Sequence, residues 1–488
     1  MVRVKAVNSF QLIFNKTRKN SMNNKLTVIA ASLLVAFCAP VFADQAEDIA
    51  QLKEQVRELQ TKLGGTNLKF NADYRVTSDS IEYKMADGTT AKNSALLSNR
   101  LEIGMGYQPF DNLIFHGLLS YNKAFGETGI NSDPRNPGMG NFDWVTNENL
   151  DDNSLKVKEV YMLYLGDNFL GSDLDWSGSL GRRPSTDGFL ANNRNGYDQP
   201  KSPLGHSINV EFDGLSLAVK LDKLTGISGM DAKLCAGRGL SATATPRFSS
   251  TGADYSDTGA MDNIDMIGLI FTPYNNGQYD IKAQYYYSNN LIDMGYDNTG
   301  TPTGFEQLGD LQNLTLSMQV NGVGEFINDF LDDTVLFASV SASQTLPDGG
   351  MTAGGNYGML GSQDNETGYS YWVGATVPAF FEGDRFGLEF NHGSKYWRSF
   401  TYGEDTLIGS KIAARGDAYE AYYNIPIIGE SLYFQLRYTY INYDYSGSNG
   451  FFGNSGAPMT MAEANAMGMG GMVAESAQDI RAMIRYNY

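Results

Sequence analysis

The chain has 488 residues, 42% of them hydrophobic, with 36 basic and 55 acidic side chains and a formal net charge of −19. That length admits one large core or several soluble domains, but the acidic balance argues against nucleic acid as a partner, because a polyanion would be repelled. Two cysteines in the whole chain exclude a disulfide scaffold.

Residues 1–43 hold six cations and no acid, then the apolar run Leu26 to Phe37 and the small-x-small site Val41-Phe42-Ala43. This is the pattern of a secretory signal peptide, with Asp44 as the expected mature start. Met22 with Lys25 would make a shorter n-region. The alternatives are a membrane anchor, which Pro40 and the short apolar run oppose, and a lipoprotein site at Cys38, which Phe37 opposes. Removing the segment leaves 30 basic against 55 acidic residues, a net charge of −25, and Cys235 as the one cysteine. No later apolar stretch is long enough for a membrane helix, while tyrosine alone numbers 29.

Residues 44–65 change character. Ile49, Leu52, Val56, Leu59 and Leu63 recur at intervals of three and four, the seam of a short coiled coil ended by Gly64-Gly65. Under three heptads, it needs partner chains held close by something else. The alternative is a helix that packs on, or plugs, its own barrel.

From residue 66 to 488 the period is two, and sixteen strands are expected. They run Thr66 to Thr77, Leu96 to Tyr107, Leu113 to Tyr121, Leu155 to Gly166, Leu174 to Arg183, His206 to Phe212, Leu215 to Leu224 and Asp262 to Thr272. The second half gives Gln278 to Ser288, Leu311 to Val320, Thr334 to Thr345, Tyr369 to Val377, Asp384 to His392, Arg415 to Ile425, Leu432 to Tyr443 and Gln478 to Tyr488. Asp213-Gly214 reads as a hairpin turn. Long polar connections (about 78–95, 184–205, 225–261, 444–477) alternate with short ones, and one helical turn is expected between Asn321 and Asp333. Short turns at one end and long loops at the other are the signature of an all-β, transmembrane antiparallel barrel with both termini in the periplasm; fourteen or eighteen strands stay open. Val160 to Leu163, Ile267 to Ile270 and Val335 to Ala338 are apolar on both faces and fit the pattern least well.

No catalytic motif emerges, and no enzyme or cofactor is expected. His116, His206 and His392 each stand alone on an expected strand. Asp151-Asp152-Asn153 reads either as a Ca²⁺ cluster or as a solvated surface. The alternation aims Lys69, Arg75, Arg100, Arg437, Arg481 and Arg485 inward with Asp73, Glu102 and Asp479, and barrel closure makes their strands neighbours. Glu211, Asp222, Asp265 and Asp280 would line the opposite wall with Lys220 and Lys282. Such charges suit a hydrated pore.

The pattern resembles the bacterial general porins. The stretch Ser179 to Gly188, with the signal peptide and coiled coil upstream, resembles a proteobacterial family of uncharacterised porin-like outer-membrane proteins. The resemblance implies that loop 184–205, with Pro184, Asp187, Arg194 and Asp198, folds into the barrel as a constriction, and that the barrels assemble as trimers. The expected function is a porin for small hydrophilic solutes in outer-membrane lipid and lipopolysaccharide. The rival reading is a sheath or docking barrel for a periplasmic electron-transfer or secretion partner.

Overall fold

The computed structural model describes residues 68–125, 151–183, 188–196, 201–242, 262–296, 302–324, 327–349, 358–401, 406–429, 431–448 and 456–488. The signal segment, the helix with Ile49, Leu52, Val56, Leu59 and Leu63, its glycine hinge, and Pro184, Asp187 and Asp198 lie outside these residues.

Sixteen antiparallel strands close into one barrel. They are β1 Leu68–Met85, β2 Thr90–Phe110, β3 Leu113–Ala124, β4 Asp151–Gly166, β5 Trp176–Arg183, β6 Phe212–Lys220, β7 Asp231–Leu240 and β8 Ile264–Asn275. The second half consists of β9 Tyr279–Tyr296, β10 Pro302–Asn321, β11 Val335–Pro347, β12 Thr367–Pro378, β13 Arg385–Gly393, β14 Gly416–Ile428, β15 Leu432–Tyr443 and β16 Ala474–Asn487. Closure is made by β16 against β1, with Tyr486 opposite Tyr74, and continues past the strand end where Tyr488 and Ala72 exchange backbone hydrogen bonds of 2.9 and 3.0 Å. A closed barrel leaves no sheet edge, so each backbone group of the wall finds its partner within the wall.

Alternation decides what each face meets. On β16, Ala477, Asp479, Arg481, Met483 and Arg485 are buried on the inner side, while Ile480 and Tyr486 are exposed on the outer side. The same inversion holds on β10 and β11, where Leu314, Leu316 and Val340 are exposed and Asn313, Thr315, Ser339 and Ser341 are buried. A soluble barrel would place these aliphatic side chains inside; a wall that faces lipid reverses the arrangement.

Three expectations about the chain's path are corrected. Asp213 and Gly214 lie within β6 and form no hairpin. Gly214 stands opposite Gly237 of β7 and Gly181 of β5, and a Cβ there would sit 2.1 Å from the Ala236 carbonyl oxygen, so the glycine serves close approach of strands. Residues 206–211 are not a wall strand; the lost strand is replaced by β7, from within the stretch taken as a long loop. The first loop is also shorter than expected, because β1 and β2 run on to a tight turn at Ala86 to Thr89. The helical turn before β11 is present at Asp329–Asp332.

The interior differs from a wholly hydrated lumen. Segments 188–196 and 201–211, between β5 and β6, and residues 394–401 and 406–415, between β13 and β14, fold inward and meet in a short parallel pairing of Phe400–Thr401 with Ile208–Asn209. Phe189, Leu190, Leu204 and Ile412 pack there with Ile270, Phe337 and Trp372 of the wall. Ile208, Val210 and Phe400 pack with Ile264, Tyr286 and Leu311. This explains the stretches of β8 and β11 that read as apolar on both faces: one side meets the outside and the other meets the inward segments. Gly368 permits the approach, since a Cβ on it would lie 2.2 Å from the Trp397 nitrogen.

Candidate functional site

The inner faces of β15, β16, β1 and β2 form one wall of the lumen. Register sets Arg485 opposite Arg75 and Arg75 opposite Arg100, so three guanidinium groups share a row across three adjacent strands. A second row sets Arg437 opposite Arg481 and Arg481 opposite Asp79. Like charges directly opposite one another are unfavourable, and the flanking rows compensate: Asp73 stands opposite Glu102 on one side, and Thr439 opposite Asp479 on the other. The wall is therefore banded, with basic rows between acidic ones.

Individual contacts follow the bands. Arg485 Nε donates to both Asp73 carboxylate oxygens at 2.8 and 2.9 Å, and its Nη1 donates to Tyr433 Oη at 2.8 Å. Arg481 Nε donates to Asp79 Oδ1 at 2.5 Å. Arg100 lies 3.5 Å from both Asp73 and Glu102, and Lys158 of β4 lies 3.2 Å from Glu102. Asp79, absent from the sequence-based set, thus pairs with Arg481 where Asp479 was expected. Lys158 and the neighbouring pair Lys201–Glu159, at 2.6 Å, were also missed. All five wall arginines are buried, Arg437 at 1% exposure.

Next to this wall, on β13 and β14, a second charged cluster ties the inward segments to the barrel. Lys411 Nζ lies 2.5 Å from Glu389 and 2.6 Å from Glu420. Arg194 Nη1 is 3.2 Å from both Glu420 oxygens, and its carbonyl accepts from Asn424 at 3.2 Å and Gln435 at 3.0 Å. Thr439 donates to Glu420 at 2.8 Å and Trp372 Nε1 to Glu389 at 3.0 Å. A buried carboxylate is tolerable only with partners of this kind. Nearby, Arg398 and Asp293 form a fully buried pair at 2.8 Å.

The expected acidic wall is not assembled. Asp222 opens the short helix Asp222–Thr225 in the β6–β7 turn, away from the lumen. Asp265 is exposed and pairs with Arg238 at 2.7 Å on the outer side. Glu211 is buried, on the inward segment and not on a wall strand, 3.9 Å from Lys158. Asp280 pairs with Lys282, whose ammonium sits 4.3 Å from the Phe189 ring centroid. Lys69 is exposed near the start of β1.

The histidines show no catalytic grouping. His116 lies 3.2 Å from Glu159 and His392 2.8 Å from Asp417. His206, corrected from strand to inward segment, is fully buried between Ser339 Oγ at 2.7 Å and Ser370 Oγ at 2.9 Å. Among the described residues no group of three or more metal-ligating side chains gathers. Burial pushes the His206 imidazole down to about 3. The unfolded chain takes up a proton below about 6.5 that the native site refuses, so stability is full above that pH and falls as pH drops toward 3, by about 2 kcal/mol at pH 5. Urea unfolding at pH 7 and pH 5 measures this, and H206F should remove that share of the loss.

A family model described as "Protein of unknown function (DUF3373)" matches residues 90–488. The chain belongs to the DUF3373 family. Among curated proteins there is no match. Solved structures similar to this DUF3373 chain include an anion-selective porin from Comamonas acidovorans, at 12% identity over 87% of this chain and 100% of that one, TM-score 0.47. Pseudomonas putida OprB is similar at 14% identity over 88% and 96%, TM-score 0.46. Salmonella typhi OmpF, in a complex with daunomycin, is similar at 10% over 87% and 98%, TM-score 0.44.

Proposed function

We propose that this DUF3373 protein is an outer-membrane channel for passive diffusion of small hydrophilic solutes, with a preference for anions. The observation that carries the reading is the inversion of polarity across one closed wall: aliphatic and aromatic side chains exposed outside, arginines and carboxylates buried inside. Such a wall is stable in a bilayer and has a polar interior for water and solute. The inward segments pack on β8 to β14 and also reach β15, β16 and β1, where Gln435 donates to the Arg194 carbonyl, Tyr83 donates to the Leu407 carbonyl and Ile408 clusters with Ala477. In this reading the path runs beside the arginine rows, where a narrow low-dielectric setting strengthens their effect on a passing ion. Segments 188–196, with Arg194, and 201–211 form the constriction in this reading, and Arg75, Arg100, Arg437 and Arg481 are the positive side of its field. The short-turn end and both termini face the periplasm.

Liposomes containing purified protein test the channel: osmotic swelling in small sugars and organic anions supports it, and permeability equal to that of empty liposomes contradicts it. The inward segments that occupy the lumen favour the sheath as the second reading, and a barrel that folds but admits no solute would support it. We further propose a trimer, with residues 44–63 tying the subunits at the periplasmic side. Mass measurement in mild detergent is expected to give three chains, and fewer after deletion of 44–63; a monomer unchanged by the deletion removes that role.

A further inference from the structure

The turns at one end of the barrel have an unusual composition. Short turns of outer-membrane barrels need only polar, flexible residues. Here, four of the seven even-to-odd turns expose a large apolar side chain, Leu170, Leu224, Phe330 and Phe380, and at two more the strand end beside the turn does so, at Phe110 and Ile427. Leu170 is 91% exposed at a position with φ 52°, a left-handed conformation that disfavours a branched side chain and suits Gly or Asn. Phe380 is 87% exposed. The exception is the β8–β9 turn, Asn276 to Gln278, which is polar.

The β12–β13 turn shows how such a tip is built. The Asp384 carboxylate accepts from three successive backbone amides, Ala379, Phe380 and Phe381, at 3.2, 3.1 and 2.9 Å. The Tyr423 hydroxyl donates to the same carboxylate, and the Phe380 ring meets the Tyr423 ring edge-on at 6.3 Å between centroids. These three amides are thus satisfied from within the turn while both phenylalanines are exposed. Backbone polar groups satisfied internally are what a water-poor surrounding requires. In the β6–β7 turn, beside Leu224, Lys223 lies 3.1 Å from Asp175 and 3.6 Å from Asp173.

We infer that this end of the barrel is seated in the lipid interface, with the apolar turn tips inserted among the headgroups and upper acyl chains of the adjoining leaflet. The distribution decides for lipid over a protein partner. The tips recur around the circumference, as a surrounding leaflet does, whereas a docked protein would select one sector. Among the described residues, large apolar side chains exposed in the connections at the opposite end are fewer: Phe125 after β3, and Met467 and Met472 together before β16. Apolar and aromatic side chains at the interface anchor a spanning protein against vertical displacement.

This inference rests on the membrane reading above, and the test separates the two. In a C235S background, L224C, F380C, Q278C and the mid-wall L316C are labelled with an environment-sensitive fluorophore. The full-length proteins are then reconstituted into phosphatidylcholine vesicles carrying a nitroxide on the upper acyl chain. The labels at 224 and 380 are expected to shift to the blue and to be quenched several-fold more than the label at 278, approaching the quenching at 316. Quenching at 316 with water-like emission at 224 and 380 overturns the inference and leaves the tips for a protein partner. Water-like emission at 316 overturns the membrane reading itself.

Discussion

Replacing Glu420 with glutamine will cost on the order of 3–5 kcal/mol of stability, the penalty for removing one partner from a buried ion cluster. Glu420 faces Lys411 at 2.6 Å, Arg194 at 3.2 Å and Arg437 at 3.9 Å. Its loss leaves Lys411 with Glu389 alone, and takes from Arg194 the carboxylate that holds its guanidinium to β14. Because Arg194 belongs to the inward segment and Glu420 to the wall, the variant is also expected to raise conductance by loosening the constriction. Urea titration of the vesicle-embedded protein measures the first effect and channel recording the second. The pair R194M/E420L, which removes both charges, should recover part of the stability but not the original conductance. An E420Q barrel as stable and as narrow as the parent would show that this cluster does not anchor the segment.

The second large effect concerns selectivity. Neutralising Arg100 and Arg481 together removes one guanidinium from each basic row while leaving the outer wall untouched. The variant R100Q/R481Q is expected to move the reversal potential toward cations, with a change in permeability ratio on the order of tenfold, equivalent to about 1.4 kcal/mol. The difference should shrink as salt is added, because mobile ions screen fixed charges. Asp79, Asp73 and Glu102 remain and should reinforce the reversal. If selectivity and conductance both stay unchanged in the folded double variant, those residues do not line the path.

The wall was legible in the sequence because it obeys a local rule. Alternation along Leu432–Tyr443 reproduces β15 to the residue, and it aimed Arg100, Arg437, Arg481 and Arg485 to the side where they lie buried. What a local rule cannot see is a segment that turns back. Residues 206–211 read as a strand because His206 to Phe212 alternates and contains Ile208 and Val210, yet those side chains pack on Phe400 and Leu311 within the lumen. The true strand β7 was hidden by its composition: Ala232 and Ala236 leave a weak apolar outer face around Leu234, while Gly237 on the other face suits close strand approach at Gly214. The Glu420–Arg194 contact spans 226 positions in the chain, and no spacing within one strand announces it. One signal did point to it: the apolar inner positions Ile270 and Phe337 looked misplaced on pore strands, and they mark where the inward segments rest.

The central proposal is that ions pass beside the arginine rows of a lumen that the inward segments partly fill. Single-channel recording of the purified wild-type protein in a planar bilayer, under a KCl gradient, reads both halves of that claim at once. Steady, discrete conductance steps are expected, with a reversal potential displaced toward the chloride equilibrium value. A correctly folded barrel that stays silent, or one that conducts with potassium preferred, would contradict the proposal.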